Sequence, residues 1–136
     1  MFNTVLFPIN QSQETLDATE VVMNIVQKYG STLILLSVLE ESPSAEGEAP
    51  EPMTSHDRVA ELLEKVKAGF SKNGIEAKTI ELKGKPAFTI CDVADEEEVG
   101  LIIMGSRGMG LTDEGSKDSI TNQVINLSPC PVLIVP

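Results

Sequence analysis

The sequence predicts an α/β fold: a single doubly wound, five-stranded parallel sheet with helices on both faces. Five short apolar runs alternate with four stretches of helical periodicity. Parallel strands need crossover connections, and such crossovers are right-handed. The chain is 136 residues long and 41% hydrophobic, enough for one domain with a substantial core. No repeat or second domain is visible, so residues 1–136 read as one unit.

Thr4 to Ile9 (TVLFPI) reads as the first strand, with Pro8 near its end, where a ladder donor is not needed. Ser12 caps a helix running to about Tyr29, with Ala18, Val21, Val22, Ile25, Val26 and Tyr29 on one face and Gly30 as its stop. Thr32 to Val38 (TLILLSV) is the second strand. From Glu40 to Pro52 the chain carries five glutamates, three prolines and no basic residue. That composition predicts a mobile acidic loop at about 40–53.

Thr54 and Asp57 form a capping-box pattern for the second helix, whose inward face is Val59, Leu62, Leu63, Val66 and Phe70, closed by Gly74. His56, the only histidine, falls in its first turn and is expected to be solvated. Glu76 to Leu82 (EAKTIEL) alternates as an edge strand does. Pro86 fits the first position of the third helix, where Ala87, Ile90, Cys91 and Ala94 form the buried stripe. This helix ends in four acidic residues, Asp95 to Glu98, at the negative end of its dipole.

The stretch around which the chain is organised follows. Leu101 to Met104 (LIIM) is a strand buried on both faces. It runs into GSRGMG, where Gly105, Gly108 and Gly110 allow positive φ and close backbone approach. A short helix then begins near Asp118, with Ile120, Val124 and Leu127 inward. Strand, glycine turn and helix start are the parts of a phosphate cradle, because free N–H groups and the dipole favour an anion there. A tight structural turn is the lesser alternative reading of the same glycines. GLTDEGSK, from Gly110 to Lys117, has Walker A spacing but puts Ser116 before Lys117, and the glycines do not spell a dinucleotide fingerprint. A final strand, VLIV, spans Val132 to Val135.

Ten basic residues stand against 21 acidic ones, a net charge of −11. That field disfavours nucleic acid and anionic membranes, so a phosphate must be held by local donors. MFNTVLFPIN lacks a signal-peptide pattern and no apolar run reaches membrane-spanning length, so a cytoplasmic protein is expected. Cys91 and Cys130 have no C-x-x-C spacing and read as buried or idle thiols.

Taken together, V-L-F-P-I-N, TLILLSV, G-K-P, I-I-M-G-S-R-G-M-G and S-P-C-P-V-L-I-V-P resemble the universal stress protein family over nearly the whole chain. The resemblance implies a sheet order of 3-2-1-4-5, with a ligand at the carboxyl ends of the first and fourth strands. It implies adenine and ribose near Pro8, Ile9, Asn10, Val38 and Met104. It also implies phosphates at Gly105, Gly108, Ser119, Ile120 and Thr121, with ATP or AMP as ligand; Arg107 and Asp118 fall in the same phosphate-binding stretch, where magnesium would offset the Asp118 carboxylate. As the outermost strand in that order, Val132, Leu133, Ile134 and Val135 are expected to pair with a second copy in a homodimer.

Two departures from the family pattern bear on this. Asp118 occupies the position of the pattern's third glycine, and Asn10 stands where ATP-binding members usually carry aspartate. A carboxylate about 5 Å from a phosphate charge costs roughly 3 kcal/mol at an effective dielectric near 20, on the order of a hundredfold in affinity. A divalent cation bridging the two reverses that sign. Three functions follow from these residues: a non-catalytic, adenine-nucleotide-binding stress protein; an interaction module whose nucleotide site has lapsed and which accepts at most a small anion; and a slow ATPase or phosphotransferase. The last has least support, since the site offers no P-loop lysine, base or histidine.

Overall fold

The computed structural model describes residues 2–9, 13–40, 56–105 and 120–136. In chain order the elements are β1 (Thr4–Pro8), α1 (Gln13–Tyr29), β2 (Thr32–Glu40), α2 (His56–Ser71), β3 (Ala77–Gly84), α3 (Pro86–Glu96), β4 (Leu101–Gly105), α4 (Ile120–Leu127) and β5 (Val132–Val135). The strands form one five-stranded sheet in the order β3-β2-β1-β4-β5. Every pairing is parallel. The predicted class and strand order are therefore those observed.

Alternation along the strands divides the core in two. Val5, Phe7, Leu33, Leu35, Leu101 and Ile103 face α1 and α2, where Ala18, Val22, Leu63 and Phe70 meet them. Phe7 and Phe70 form the centre of this layer as an edge-to-face pair 6.4 Å apart, a geometry the ring quadrupoles favour. Leu6, Ile34, Leu36, Ile102 and Met104 point the other way, onto Ala87, Ile90, Cys91 and Ala94 of α3 and Val124 of α4. This second layer has no aromatic ring among its buried members. β1 and β4 are buried along almost their whole length, as continuous apolar strands in a parallel sheet must be.

Four expectations need correction. β2 runs past Val38 to Glu40, which pairs with Gly84 of β3, because the ladder continues where composition suggested a loop. Tyr29 is 53% exposed, its ring edge-on to Phe2 at 5.4 Å: the last turn of α1 meets the chain's start instead of the sheet. Leu127 is 48% exposed, because α4 presents Thr121 and Val124, an i, i+3 pair, as its buried positions. On α3, Val93 joins the predicted stripe.

The amino-terminal end of the sheet is tightly closed. Thr32 N–H donates to Asn3 C=O at 2.7 Å and Gly100 N–H to Thr4 C=O at 2.9 Å. Ser31 Oγ donates to Phe2 C=O at 2.6 Å. At the end of α3, Glu98 takes a φ of 53°, the left-handed conformation that glycine or asparagine usually supplies after a helix. The nearby ion pair of Lys78 with Glu97, 2.7 Å, has its lysine 57% exposed and contributes little.

Candidate functional site

The carboxyl-terminal end of the sheet is built differently. β1 follows β2 through five register pairs, from Thr4↔Thr32 to Pro8↔Leu36. β4 follows β5 from Ile102↔Val132 to Gly105↔Val135. Between β1 and β4, however, the register holds only Val5↔Leu101 and Leu6↔Ile102. The hydrogen-bonded register between the two central strands thus stops at Leu6, short of Pro8, whose nitrogen has no hydrogen to continue it, and the crevice outside their carboxyl ends lies where the strand order reverses. In open α/β sheets that crevice is where ligands bind.

Backbone alternation shows which groups face the seam between β1 and β4. Ile9 N–H donates to Leu36 C=O on β2 at 2.8 Å, while Thr4 C=O accepts Gly100 N–H on the opposite side. Odd positions of β1 therefore address β2, and even positions, Pro8 included, address β4. Ile102 N–H donates to Pro131 C=O beside β5 at 3.0 Å. By the same alternation the peptide groups of Ile103 and Gly105 turn toward β1. Thr121 is 6% exposed and its Oγ1 donates to Gly105 C=O at 3.3 Å. This bond joins the end of β4 to the start of α4 across 16 residues of chain.

Several of the predicted adenine and phosphate residues come together here. Pro8 and Met104 are buried and Val38 is half-buried, with Val38 and Met104 in the layer beneath α3 and α4. Ile9 is separated from them: its side chain is buried in the opposite layer, with α1 and α2, and its N–H is held by Leu36. Gly105, Ile120 and Thr121 lie where strand and helix meet. Asn10, Arg107, Gly108, Asp118 and Ser119, with the cap Ser12, the acidic loop beyond Glu40 and Thr54, lie outside the described residues. The side chains of His56, Asp57 and Val59 do too. Among the described residues, no group of three or more His, Cys, Asp or Glu is placed to hold a metal ion. None of the described helices is long and apolar enough to cross a membrane.

β5 is an edge strand with Val132, Ile134 and Val135 half-buried against the core and Leu133 37% exposed. The segment leading into it is a turn that the SPCP sequence signals and that was not anticipated in detail. Ser128 Oγ accepts Cys130 N–H at 3.2 Å and donates to Cys130 C=O at 2.6 Å, a local side-chain-to-backbone closure typical of serine before proline. Cys130 packs against the same apolar cluster as Cys91. Burial pushes both thiols above the usual range; Asp92 and Cys130 add to the effect at Cys91, while Ser128 and the Ile102 backbone oppose it at Cys130. Both are free thiols.

Comparison with known proteins agrees with this architecture. A model of the universal stress protein family matches residues 1–136. The chain is 53% identical over 136 residues to the universal stress protein Sll1654 of Synechocystis, covering 100% of this chain and 87% of that protein. Among solved structures, MJ0577 of Methanocaldococcus jannaschii superposes with a TM-score of 0.79 at 26% identity, over 99% of this chain and 96% of the other. A universal stress protein from Archaeoglobus fulgidus, solved in complex with dAMP, gives 0.71 at 18% identity, covering 100% and 98% of the two chains.

Proposed function

The chain belongs to the universal stress protein family, and from that premise we propose that it is a non-catalytic, adenine-nucleotide-binding stress-response protein of the cytoplasm, with its ligand in the crevice between β1 and β4. The observation that carries the reading is the reversal of strand order between β1 and β4, with the carboxyl ends of the two strands beside it and Thr121 of α4 bonded to Gly105 at the end of β4. The dAMP complex of a protein with the same fold supports an adenosine monophosphate unit as the ligand class. On this reading the base and ribose lie over Pro8, Val38 and Met104, with Asn10 beside them. The phosphates meet backbone at Gly105, Gly108, Ser119 and Ile120, with the hydroxyls of Ser119 and Thr121. Magnesium, when bound, supplies positive charge between Asp118 and the phosphates. Arg107 adds a cation to a chain whose net charge is −11.

A second reading rests on Asp118: an interaction module whose cradle is closed to nucleotide by its own carboxylate. Calorimetric titration of ATP and AMP, with and without magnesium, into the wild type and Asp118→Gly separates the two. The proposed function expects micromolar binding by the wild type, strengthened for ATP by magnesium. Binding only by Asp118→Gly establishes the second reading, and no binding by either at millimolar nucleotide ends the first. Light scattering on the same samples reports the dimer we propose through Val132, Leu133, Ile134 and Val135, an exposed edge that antiparallel pairing with a second copy would satisfy.

A further inference from the structure

We propose that the outer edge of β3 is a docking site for an extended acidic peptide, which adds to the sheet as a further strand. The two edges of the sheet differ in kind. β5 is four residues long and carries no charged side chain, whereas β3 runs for eight residues, Ala77–Gly84, and is in register with β2 through all of them. Among the described residues no strand lies on its other side. In a parallel ladder alternate residues of a strand bond the neighbour, so the others turn their N–H and C=O groups outward. Strand addition to an edge uses those outward groups.

The charge around this edge is opposite in sign to that of the chain. Residues 65–85, from the second half of α2 to the start of α3, hold six of the ten basic residues, all lysines, against two glutamates, in a chain whose net charge is −11. Lys65, Lys67, Lys72, Lys78, Lys83 and Lys85 are all exposed. Ala77 packs with α1 and α2, and Ile80 against the layer under α3. Alternation therefore puts Lys78 and Leu82 on the α3 side of the strand and Lys83 on the α2 side. Lys78 already holds Glu97 at 2.7 Å, and Leu82 is 40% exposed. A strand laid along the edge meets a cation on each face and an apolar contact beside Leu82.

Lysine on an edge ordinarily discourages pairing, because a second like edge is repelled. Toward an acidic strand the same lysines act in the other direction, since opposite charges across a strand pair attract. Nucleic acid, the other extended polyanion, has no backbone amides with which to continue the ladder. None of this depends on a bound nucleotide.

Titration of the whole chain with three synthetic peptides as long as β3, followed by NMR, tests the proposal. One alternates glutamate with valine, one lysine with valine, and one glutamate with proline, which lacks half the N–H donors. The glutamate–valine peptide at millimolar concentration is expected to shift β3 resonances and to slow exchange of alternate amides between Ala77 and Gly84 by about fivefold or more. The other two peptides are expected to bind about tenfold more weakly. Lys83→Glu combined with Lys85→Glu, both at exposed positions, should weaken the glutamate–valine peptide about tenfold at low salt, and the corresponding pair of glutamine substitutions should weaken it less. Equal binding of the lysine peptide, or no binding of the glutamate–valine peptide, overturns the proposal. So does protection at β5 instead of β3, or a shift of lysine side-chain signals without amide protection, which marks charge attraction without strand addition. Oligothymidylate binding more tightly than the glutamate–valine peptide overturns it as well.

Discussion

The two ends of the sheet use their central strands in opposite ways. At the amino-terminal end β1 is bonded on both sides, to β2 and to the Gly100 segment entering β4, and the chain's first described residues are tied down as well. Toward the carboxyl-terminal end the registers of β1 with β2 and of β4 with β5 continue, whereas that of β1 with β4 stops at Leu6↔Ile102, before Pro8. The same apolar strands therefore serve two purposes along a few residues of length. Backbone bonds tie β1 to both neighbours at one end, and at the other the strand order reverses beside Pro8, where a ligand is proposed.

The largest expected effect comes from breaking the closed end. Leu6 is fully buried, lies under α3 and α4, and belongs to the last pair shared by β1 and β4. Leu6→Ala keeps every backbone bond but leaves a cavity between sheet and helices, and should cost about 2–5 kcal/mol in urea unfolding. A cost below about 1 kcal/mol would mean that the site collapses around the gap and that the closed end is less rigid than its bonding suggests.

The open end should respond less in stability and more in binding. Thr121→Val keeps the volume beside Val124 but removes the hydroxyl that Gly105 C=O accepts at 3.3 Å. A stability loss of about 0.5–1.5 kcal/mol is expected from one net hydrogen bond. AMP affinity, however, should fall several-fold, because the bond fixes α4 relative to β4. Thr121→Ser, which retains the donor, should restore most of the affinity. Equal affinities for all three proteins would show that the clamp is structural only.

The contrast between the ends also explains what the sequence disclosed. β1, β4 and the inward faces of α1 and α2 were legible because their apolar spacing reflects burial directly, as Val22, Val26, Leu63 and Phe70 show. α3 was legible through Pro86 and its small-residue stripe. Misreadings cluster at element ends, where periodicity has too few residues to fix a face: Tyr29 in the last turn of α1 and Leu127 at the last position of α4. β2 extends to Glu40 because pairing with Gly84 outweighs an acidic composition there. At the site, the glycine and Pro8 positions were visible as motifs. Their arrangement was not, since where the β1–β4 register stops depends on which side of the strand each amide faces. The Thr121–Gly105 bond, spanning 16 residues, likewise has no local signature.

The smallest expected effect sharpens the picture of the closed end from its one conformational flaw. Glu98 sits just past α3, on the path into β4, with a φ of 53°. A left-handed conformation costs an L-residue with a Cβ roughly 1–2 kcal/mol, and the carboxylate adds repulsion at the negative end of the helix dipole. Glu98→Gly removes both terms but gives back some of the gain, because glycine makes the unfolded chain more disordered. A net stabilisation of about 0.5–1 kcal/mol should remain in thermal or urea unfolding, and added salt should reduce it by screening the charge contribution. The turn leads into Gly100, whose N–H joins Thr4, so stabilisation should reach the closed end without altering nucleotide affinity at the other. A change in affinity would show that the two ends communicate through β4.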